Sequence, residues 1–262
     1  MRFPFPRALT LILWTAPAIA GQSVLPLSEP GRSMPDWAAH ATELEIRGDW
    51  QGLVEWSEEW IGTEPESSLA WFTLGAAHAG AEEYSDAVAA YIRSIRSTVD
   101  NPATWNNLGH AYLKQKRPDV ASEALLEAVA LLPDFDIAWF NLGLAYFEME
   151  LPDKAIEAYE TAISIRPTYA YWRQLGIAYG HSELARWRAA DFRGEMDNTR
   201  EIDAYLEALR LQPEDTFVLH TLAVTYASSG NMSEAWELHA RLNRLNPTEA
   251  LLLSADIRQF AR

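Results

Sequence analysis

Two stretches of the sequence are near copies of each other. Ala-Thr-Trp-Asn-Asn-Leu-Gly-His-Ala-Tyr (residues 103–112) is followed 34 residues later by Ile-Ala-Trp-Phe-Asn-Leu-Gly-Leu-Ala-Tyr (residues 137–146). Each copy continues with an alanine, a large apolar residue, a second alanine and a proline; these are Ala121, Leu125, Ala128 and Pro133, then Ala155, Tyr159, Ala162 and Pro167. A fixed period of this length is typical of proteins built from stacked repeats.

Each copy has the pattern of two helices. Trp105, Leu108 and Tyr112 recur at helical spacing, which predicts one apolar helix face. The alanines and the leucine of the second half do the same for a second helix, and residues 116–118 (Lys-Arg-Pro) mark the break between them. Gly109 allows the two helices to approach closely. Such a pair cannot bury its apolar faces alone, so the sequence predicts an all-α fold of stacked pairs.

Trp, Leu-Gly, Tyr, Ala, Ala and Pro at this period resemble the tetratricopeptide repeat (TPR). The resemblance implies a right-handed α-α superhelix, a TPR solenoid, whose first helices line a concave groove for protein partners. It covers residues 34–262, with repeats at 34–67, 68–101, 102–135, 136–168, 169–215 and 216–249. The fifth repeat has an insertion near residues 180–198. Residues 250–262 form an amphipathic capping helix, with Leu251, Leu252, Ala255 and Ile257 expected on its apolar face.

Residues 1–20 have the pattern of a secretory signal peptide. Arg2 and Arg7 precede an apolar run over residues 8–16, and Ala-Ile-Ala at residues 18–20 supplies a small-x-small cleavage site. A membrane anchor or a buried N-terminal helix is the alternative. The run is shorter than the roughly 20 residues that span a bilayer, and Pro4, Pro6 and Pro17 oppose a long helix. Residues 21–33, rich in Pro, Gly and Ser, are expected to be a linker. We therefore expect export, to a bacterial periplasm, without membrane insertion.

Composition excludes several classes of function. The chain has 37 acidic and 21 basic residues, a formal net charge of -16, which disfavours a nucleic acid partner. It has no cysteine, so it carries neither a disulfide framework nor a thiolate metal site.

We find no catalytic or cofactor motif in the sequence. It lacks Gly-x-Ser-x-Gly, a phosphate-binding glycine loop and His-Glu-x-x-His, and its six histidines do not cluster along the chain. The sequence therefore predicts a non-catalytic protein with no cofactor and no metal. His78 occupies a slot that holds tyrosine in other copies, and we expect it to be a hydrogen-bonded core residue.

The resemblance implies that partners bind along the first helix of each repeat. Mapped onto this chain, the residues expected to contact a partner are Phe72, Asn107, His110, Leu113, Phe140, Asn141, Leu144, Phe147, Arg173, Gln174 and Ile177. Phe72, Phe140 and Phe147 lie at slots that stacking does not require, so we expect them to be exposed.

Asparagine recurs in the slot before Leu-Gly, as Asn107 and Asn141. An amide there could bond the backbone of an extended peptide, as in the asparagine ladder of some members of this family, although asparagine is also common in that slot. A carboxylate clamp is not favoured, because the neighbouring slots hold Asn106 and Phe140 instead of bases. The groove suits an apolar or aromatic segment.

The insertion contains a local concentration of bases around a tryptophan: Arg186, Trp187 and Arg188. Insertions in solenoids map to exposed turns, often beside the binding face. These residues are therefore either partner contacts or part of a helix extension that packs on the stack.

Three functions remain open at this point. The favoured one is an adaptor that docks a polypeptide during assembly or maturation of a cell-envelope complex. The first alternative is a scaffold that self-associates, as a homo-oligomer, through its terminal faces or the insertion. The second is an enzyme subunit with a site near His181 or His220.

Overall fold

The computed structural model describes residues 36–189 and 197–260, except for the side chains of residues 36–39, 187 and 188. The predicted signal peptide (1–20) and linker (21–33) lie outside the described residues. All regular structure within the described ranges is helical. The predicted all-α fold of consecutive helix pairs is confirmed.

The chain divides into two compact units, one ending at Glu150 and the other beginning at Leu151. The described residues of the first unit form α1 (Asp36–Arg47), α2 (Trp50–Thr63), α3 (Ser68–Gly80), α4 (Tyr84–Ser97), α5 (Pro102–Lys114), α6 (Pro118–Leu131) and α7 (Asp136–Glu148). Those of the second form α8 (Pro152–Ile165), α9 (Tyr169–Ala189), α10 (Thr199–Leu211), α11 (Thr216–Ser228), α12 (Met232–Leu245) and α13 (Pro247–Phe260).

Side-chain caps and prolines fix where many helices begin. Asp49, Ser67, Asn101 and Asp215 each accept a hydrogen bond from a backbone N–H of the first turn, which has no partner within the helix. Four helices begin instead, or in addition, with a proline, whose fixed φ suits the first helical position: α5, α6, α8 and α13.

The turns that follow α1, α3, α5, α7 and α11 each contain one residue with a left-handed backbone. In the first unit these residues lie 34 positions apart: Gly48, Glu82, Lys116 and Glu150, with φ of 67°, 63°, 60° and 58°. After α3, the N–H of Glu83 bonds the carbonyl of His78 at 2.8 Å, the long bond of a Schellman motif. Glycine is the favoured residue at such a position, so three of the four turns carry local strain.

Replacing Glu150 with glycine is expected to stabilise the protein by up to about 1 kcal/mol, since relief of left-handed strain exceeds the added entropy of the unfolded chain. Glu123→Gly, in the exposed face of α6, should instead destabilise by about 1 kcal/mol. Urea unfolding of the two variants measures both changes. A loss of stability in Glu150→Gly equal to that of the control would show that the turn is not strained.

Tryptophans connect the first helices α3, α5 and α7 to the chain that precedes each of them. The indole N–H groups of Trp71, Trp105 and Trp139 donate to the backbone carbonyls six residues earlier, at 2.8, 2.7 and 2.8 Å. The repeated tryptophan therefore fixes the angle at which a new pair joins the previous one. Within the first unit, α5 packs on both α3 and α7, so the first helices lie side by side.

The second unit departs from the regular repeat in α9. This helix has 21 residues, whereas α3, α5, α7 and α11 have 13 each. It continues through Leu184, where the 34-residue period would place a turn. The side chains of Ser182 and Arg186 both bond Asp153 of α8, at 2.6 and 3.3 Å. These contacts hold the continued part of α9 against α8.

Helix α13 packs on α11 and α12, but not with the face that the sequence indicates. Its buried residues are Ala250, Leu253, Ser254 and Ile257. Leu251, Leu252 and Ala255 are exposed, so the expected apolar face is wrong except at Ile257. A count of apolar positions could not identify the buried stripe, because α13 has apolar residues around most of its circumference.

Candidate partner-binding surface

The side-by-side helices α3, α5 and α7 present one continuous surface in the first unit. Its half-buried side chains include Asn107 and His110 on α5, and Leu144 and Phe147 on α7. We call these four residues the first-helix face. They combine two apolar groups with an amide and an imidazole, as expected of a surface that binds a polypeptide.

Three residues predicted for the groove lie beneath this surface. Phe72 is 1% exposed and its ring packs on Tyr91 of α4, with ring centroids 5.9 Å apart. Phe140 is 8% exposed and Leu113 is also buried. The expectation that Phe72 and Phe140 are exposed is therefore wrong, because neighbouring helices cover slots that one helix alone leaves open.

The asparagines of α5 and α7 bond one another. The Asn141 amide donates to Asn106 Oδ1 at 2.9 Å, and the Asn106 amide donates to Asn107 Oδ1 at 3.1 Å. Asn107 also hydrogen-bonds the hydroxyl of Tyr91. Asn141 is buried and its amide donates to Asn106, so this side chain links two helices rather than offering an exposed donor to a ligand. Asn106, which lines the groove in the sequence-based expectation, was not expected to link helices, yet it is the centre of this network; the adjacent Asn106-Asn107 pair was the available signal.

His110 is uncharged at neutral pH. Burial, and then the charge of Lys114 one turn away, lower the pKa of His110 to about 4. A neutral imidazole offers one donor and one acceptor. After the end of α5, Lys116 Nζ forms an ion pair with Glu148 Oε1, in the last residue of α7, at 3.2 Å.

The predicted groove residues of the second unit lie on α9. Arg173 is buried, and its guanidinium carbon lies 4.3 Å from the ring centroid of Phe217 on α11. Among the described residues, its Nε atom has no hydrogen-bond partner. Gln174 and Ile177 are half-buried on the same helix. Arg173 therefore stacks on α11 rather than projecting into solvent.

Glu201 was not predicted as a functional residue, although its carboxylate is buried between helices. Thr225 Oγ1 of α11 donates to Glu201 Oε1 at 3.0 Å. Burial raises the pKa of Glu201 to about 7, and the bond from Thr225 opposes part of that rise. No sequence pattern separates Glu201 from the many exposed acids of this chain.

Of the three insertion residues predicted as possible partner contacts, only Arg186 has a described side chain. It is exposed and bonds Glu183 Oε1 at 2.8 Å as well as Asp153. Trp187 and Arg188 belong to α9, but their side chains lie outside the described residues. Arg186 thus connects α9 to α8, whatever else it contacts.

Two histidines lie beside carboxylates. His78 Nδ1 lies 2.7 Å from Glu83 Oε2, and with Asp86 these residues bring three ligand atoms within 4.8 Å of one another. This geometry could accept a divalent cation, although Glu83 and Asp86 are exposed. His220 lies 3.3 Å from Asp256 and 3.8 Å from Glu249. The hydrogen bond between His78 and Glu83 explains how a histidine is accommodated at a position that holds tyrosine in other repeats.

Comparison with known proteins agrees with this architecture. Tetratricopeptide repeat models match residues 102–135 and residues 137–169. No curated protein matches the sequence. No helix in the described ranges is long and apolar enough to cross a membrane.

Several solved structures share the fold at low sequence identity. PilF of Pseudomonas aeruginosa is 20% identical, with a TM-score of 0.67, over 84% of this chain and 96% of that one. MamA is 20% identical, with a TM-score of 0.60, over 71% and 95%. YrrB, a TPR protein with an unusual peptide-binding site, is 14% identical, with a TM-score of 0.62, over 76% and 97%.

The repeat models, the 34-residue spacing of the turns and the shared fold lead to one assignment. The chain is a tetratricopeptide repeat protein.

Proposed function

We propose that this protein is a non-catalytic adaptor that docks a polypeptide segment on its first-helix face. The observation that carries the proposal is that Asn107 and His110 of α5, and Leu144 and Phe147 of α7, are half-buried on two first helices that pack on each other. YrrB, which shares the fold, has a peptide-binding site, and that supports a peptide as the ligand here.

The chemistry of the face favours an apolar or aromatic segment. Half-buried Leu144 and Phe147 offer apolar area that a partner can desolvate. The neutral imidazole of His110 can bond a peptide backbone in either direction, at no cost of burying a charge. Lys116, after the end of α5, and Glu148, the last residue of α7, neutralise each other in an ion pair. The face therefore suits a partner that has few charges in the docked segment.

We further propose that docking takes place outside the cytoplasm, in assembly or maturation of an envelope complex. The support is the signal-peptide pattern of residues 1–20. Fusing residues 1–33 to a reporter enzyme that is active only after export tests the location. Reporter activity that depends on Arg2 and Arg7 supports export, and an inactive, unprocessed fusion contradicts it.

The docking proposal is tested by capture of partners from an envelope extract. The His110→Ala, Phe147→Ala double variant should bind the captured polypeptide at least about tenfold more weakly, as expected when a central contact of an interface is truncated. Leu126→Ala, at an exposed leucine on α6, is the matched control and should bind as the unmodified chain does.

Circular dichroism shows whether both variants retain their helices. Equal capture by the folded double variant and by the control would place the binding site elsewhere. We avoid Phe140 as a test position, because a substitution at a buried residue would change stability as well as binding.

A further inference from the structure

Helix α13 exposes a strip of apolar side chains. Leu251 is 71% exposed and Leu252 is 62% exposed, and Ala255 follows on the same side of the helix. Arg258 and Gln259 continue this side and are also exposed. We call these five residues the α13 strip.

The repeat period shows that this side of a first helix is normally buried. Pro247 follows Pro213 by 34 residues, so α13 occupies the place of a first helix. The residues equivalent to Leu252 in the preceding first helices are all 0% exposed: Ala70, Thr104, Ala138, Tyr171 and Val218. Those equivalent to Gln259 are also buried: Ala77, Ala111, Ala145, Ala178 and Thr225.

Second helices account for that burial. Helices α3, α5, α9 and α11 each pack closely on the helix that follows in the chain. For example, Ala111 of α5 shares a core cluster with Ala124 of α6. The described neighbours of α13 are α11 and α12, which cover its other side. The α13 strip is therefore the side of a first helix that a second helix covers elsewhere in the chain. No second helix among the described residues covers it here.

We propose that a second copy of this chain covers the α13 strip, with the two α13 helices packed antiparallel about a two-fold axis at Ala255. Consecutive helices joined by a short turn run antiparallel, so the helix that belongs on this surface is an antiparallel one. A two-fold axis perpendicular to α13 supplies that direction from an identical helix.

The composition of the strip favours self-pairing. The chain has a formal net charge of -16, yet the α13 strip contains no acid. Two copies can therefore meet there without placing carboxylates against each other. With Ala255 at the axis, the small side chain allows close approach. Arg258 then lies across from Leu252 of the other copy, where its methylene stem can cover apolar surface while its charge stays in water.

This interface lies on the second unit and is independent of docking on the first-helix face. It gives the self-associating alternative a defined surface. An adaptor with this interface would present two docking faces per assembly.

Sedimentation or light scattering over a wide range of protein concentration tests the pairing. The chain from Gly21 onward should rise from monomer to dimer mass, and Leu252→Glu should remain a monomer. Leu206→Glu, at an exposed leucine on α10, is the control and should dimerise normally. Because Leu252 is exposed, its replacement leaves the core of the second unit intact. A constant monomer mass, or a Leu252→Glu variant that still dimerises, overturns the proposal.

A cysteine cross-link tests the geometry. The chain has no cysteine, so Ala255→Cys introduces a single thiol, which at a two-fold axis meets its own copy. Mild oxidation should produce a disulfide-linked dimer, whereas Gly62→Cys, exposed on α2, should not respond. Failure of Ala255→Cys to cross-link in a dimeric sample would place the interface on another surface. Preferential cross-linking to a different protein in an extract would also overturn the two-fold pairing.

Discussion

Gly75→Ala is expected to destabilise the protein by about 1–3 kcal/mol, the usual cost of overpacking a filled core. A Cβ at Gly75 would lie 2.6 Å from both Cδ1 and Cε1 of Tyr91, far inside contact distance. Tyr91 is fully buried, and its hydroxyl is held by Asn107, so the ring cannot easily move aside. A Cβ at Gly176 would likewise lie 2.6 Å from Cε1 of Tyr205, so the second unit contains an equivalent close approach.

Gly62→Ala is the matched control for this prediction. Gly62 lies in α2, and a Cβ there would meet no atom within 4 Å. Alanine should therefore stabilise the protein by about 0.5–1 kcal/mol through helix propensity alone. Urea unfolding of both variants measures the difference. If Gly75→Ala were as stable as Gly62→Ala, helix pairs would not depend on the close approach at Gly75.

Glu201→Gln is expected to change how stability depends on pH. The pKa of Glu201 is about 7 in the folded protein, above its ordinary value of 4.5. Between these pH values the folded chain holds a proton that the unfolded chain has lost. The contribution of Glu201 to stability is therefore complete below pH 4.5 and falls as the pH rises through 7, by about 3 kcal/mol in total. Glutamine cannot ionise, so the variant does not lose this contribution as the pH rises. Its free energy of unfolding minus that of the unmodified chain should therefore increase from pH 5 to pH 8.

The difference between variant and parent is the quantity to measure. The lowered pKa of His110 contributes the opposite slope, because the unfolded chain binds that proton first as the pH falls. This contribution is present in both proteins and cancels in the difference. Asp203→Asn, exposed on the same helix, is the control. A difference between Glu201→Gln and the parent that is the same at pH 5 and at pH 8 would show that Glu201 does not hold a proton when folded.

The 34-residue period was sufficient to predict the helix pairs. Helical spacing places Trp105, Leu108 and Tyr112 on one face, and Gly109 permits the close packing that the structure shows against Leu125. Such a pattern reports on neighbours a few residues apart, and those interactions are local. It could not reveal that residues with ordinary sequence preferences, such as Glu82 and Lys116, take left-handed conformations.

The candidate site was harder to predict, because exposure depends on helices that are distant in the sequence. Phe72 and Phe147 looked alike in the repeat pattern, yet Phe72 is buried and Phe147 is half-buried. The bond from Asn141 to Asn106 joins residues 35 positions apart, so neither residue alone indicates it. The exposure of Leu252 also depends on distant parts of the chain, since it is exposed only because no second helix among the described residues covers it.

The most direct test of the adaptor account is photo-cross-linking from the first-helix face. A photoreactive residue replaces Phe147 in one sample and Leu126, exposed on the second helix α6, in the other. Both chains are illuminated in the envelope extract. We expect a discrete polypeptide adduct from position 147 and none from position 126. An adduct from position 126 alone, or the same adducts from both positions, would contradict docking on the first-helix face.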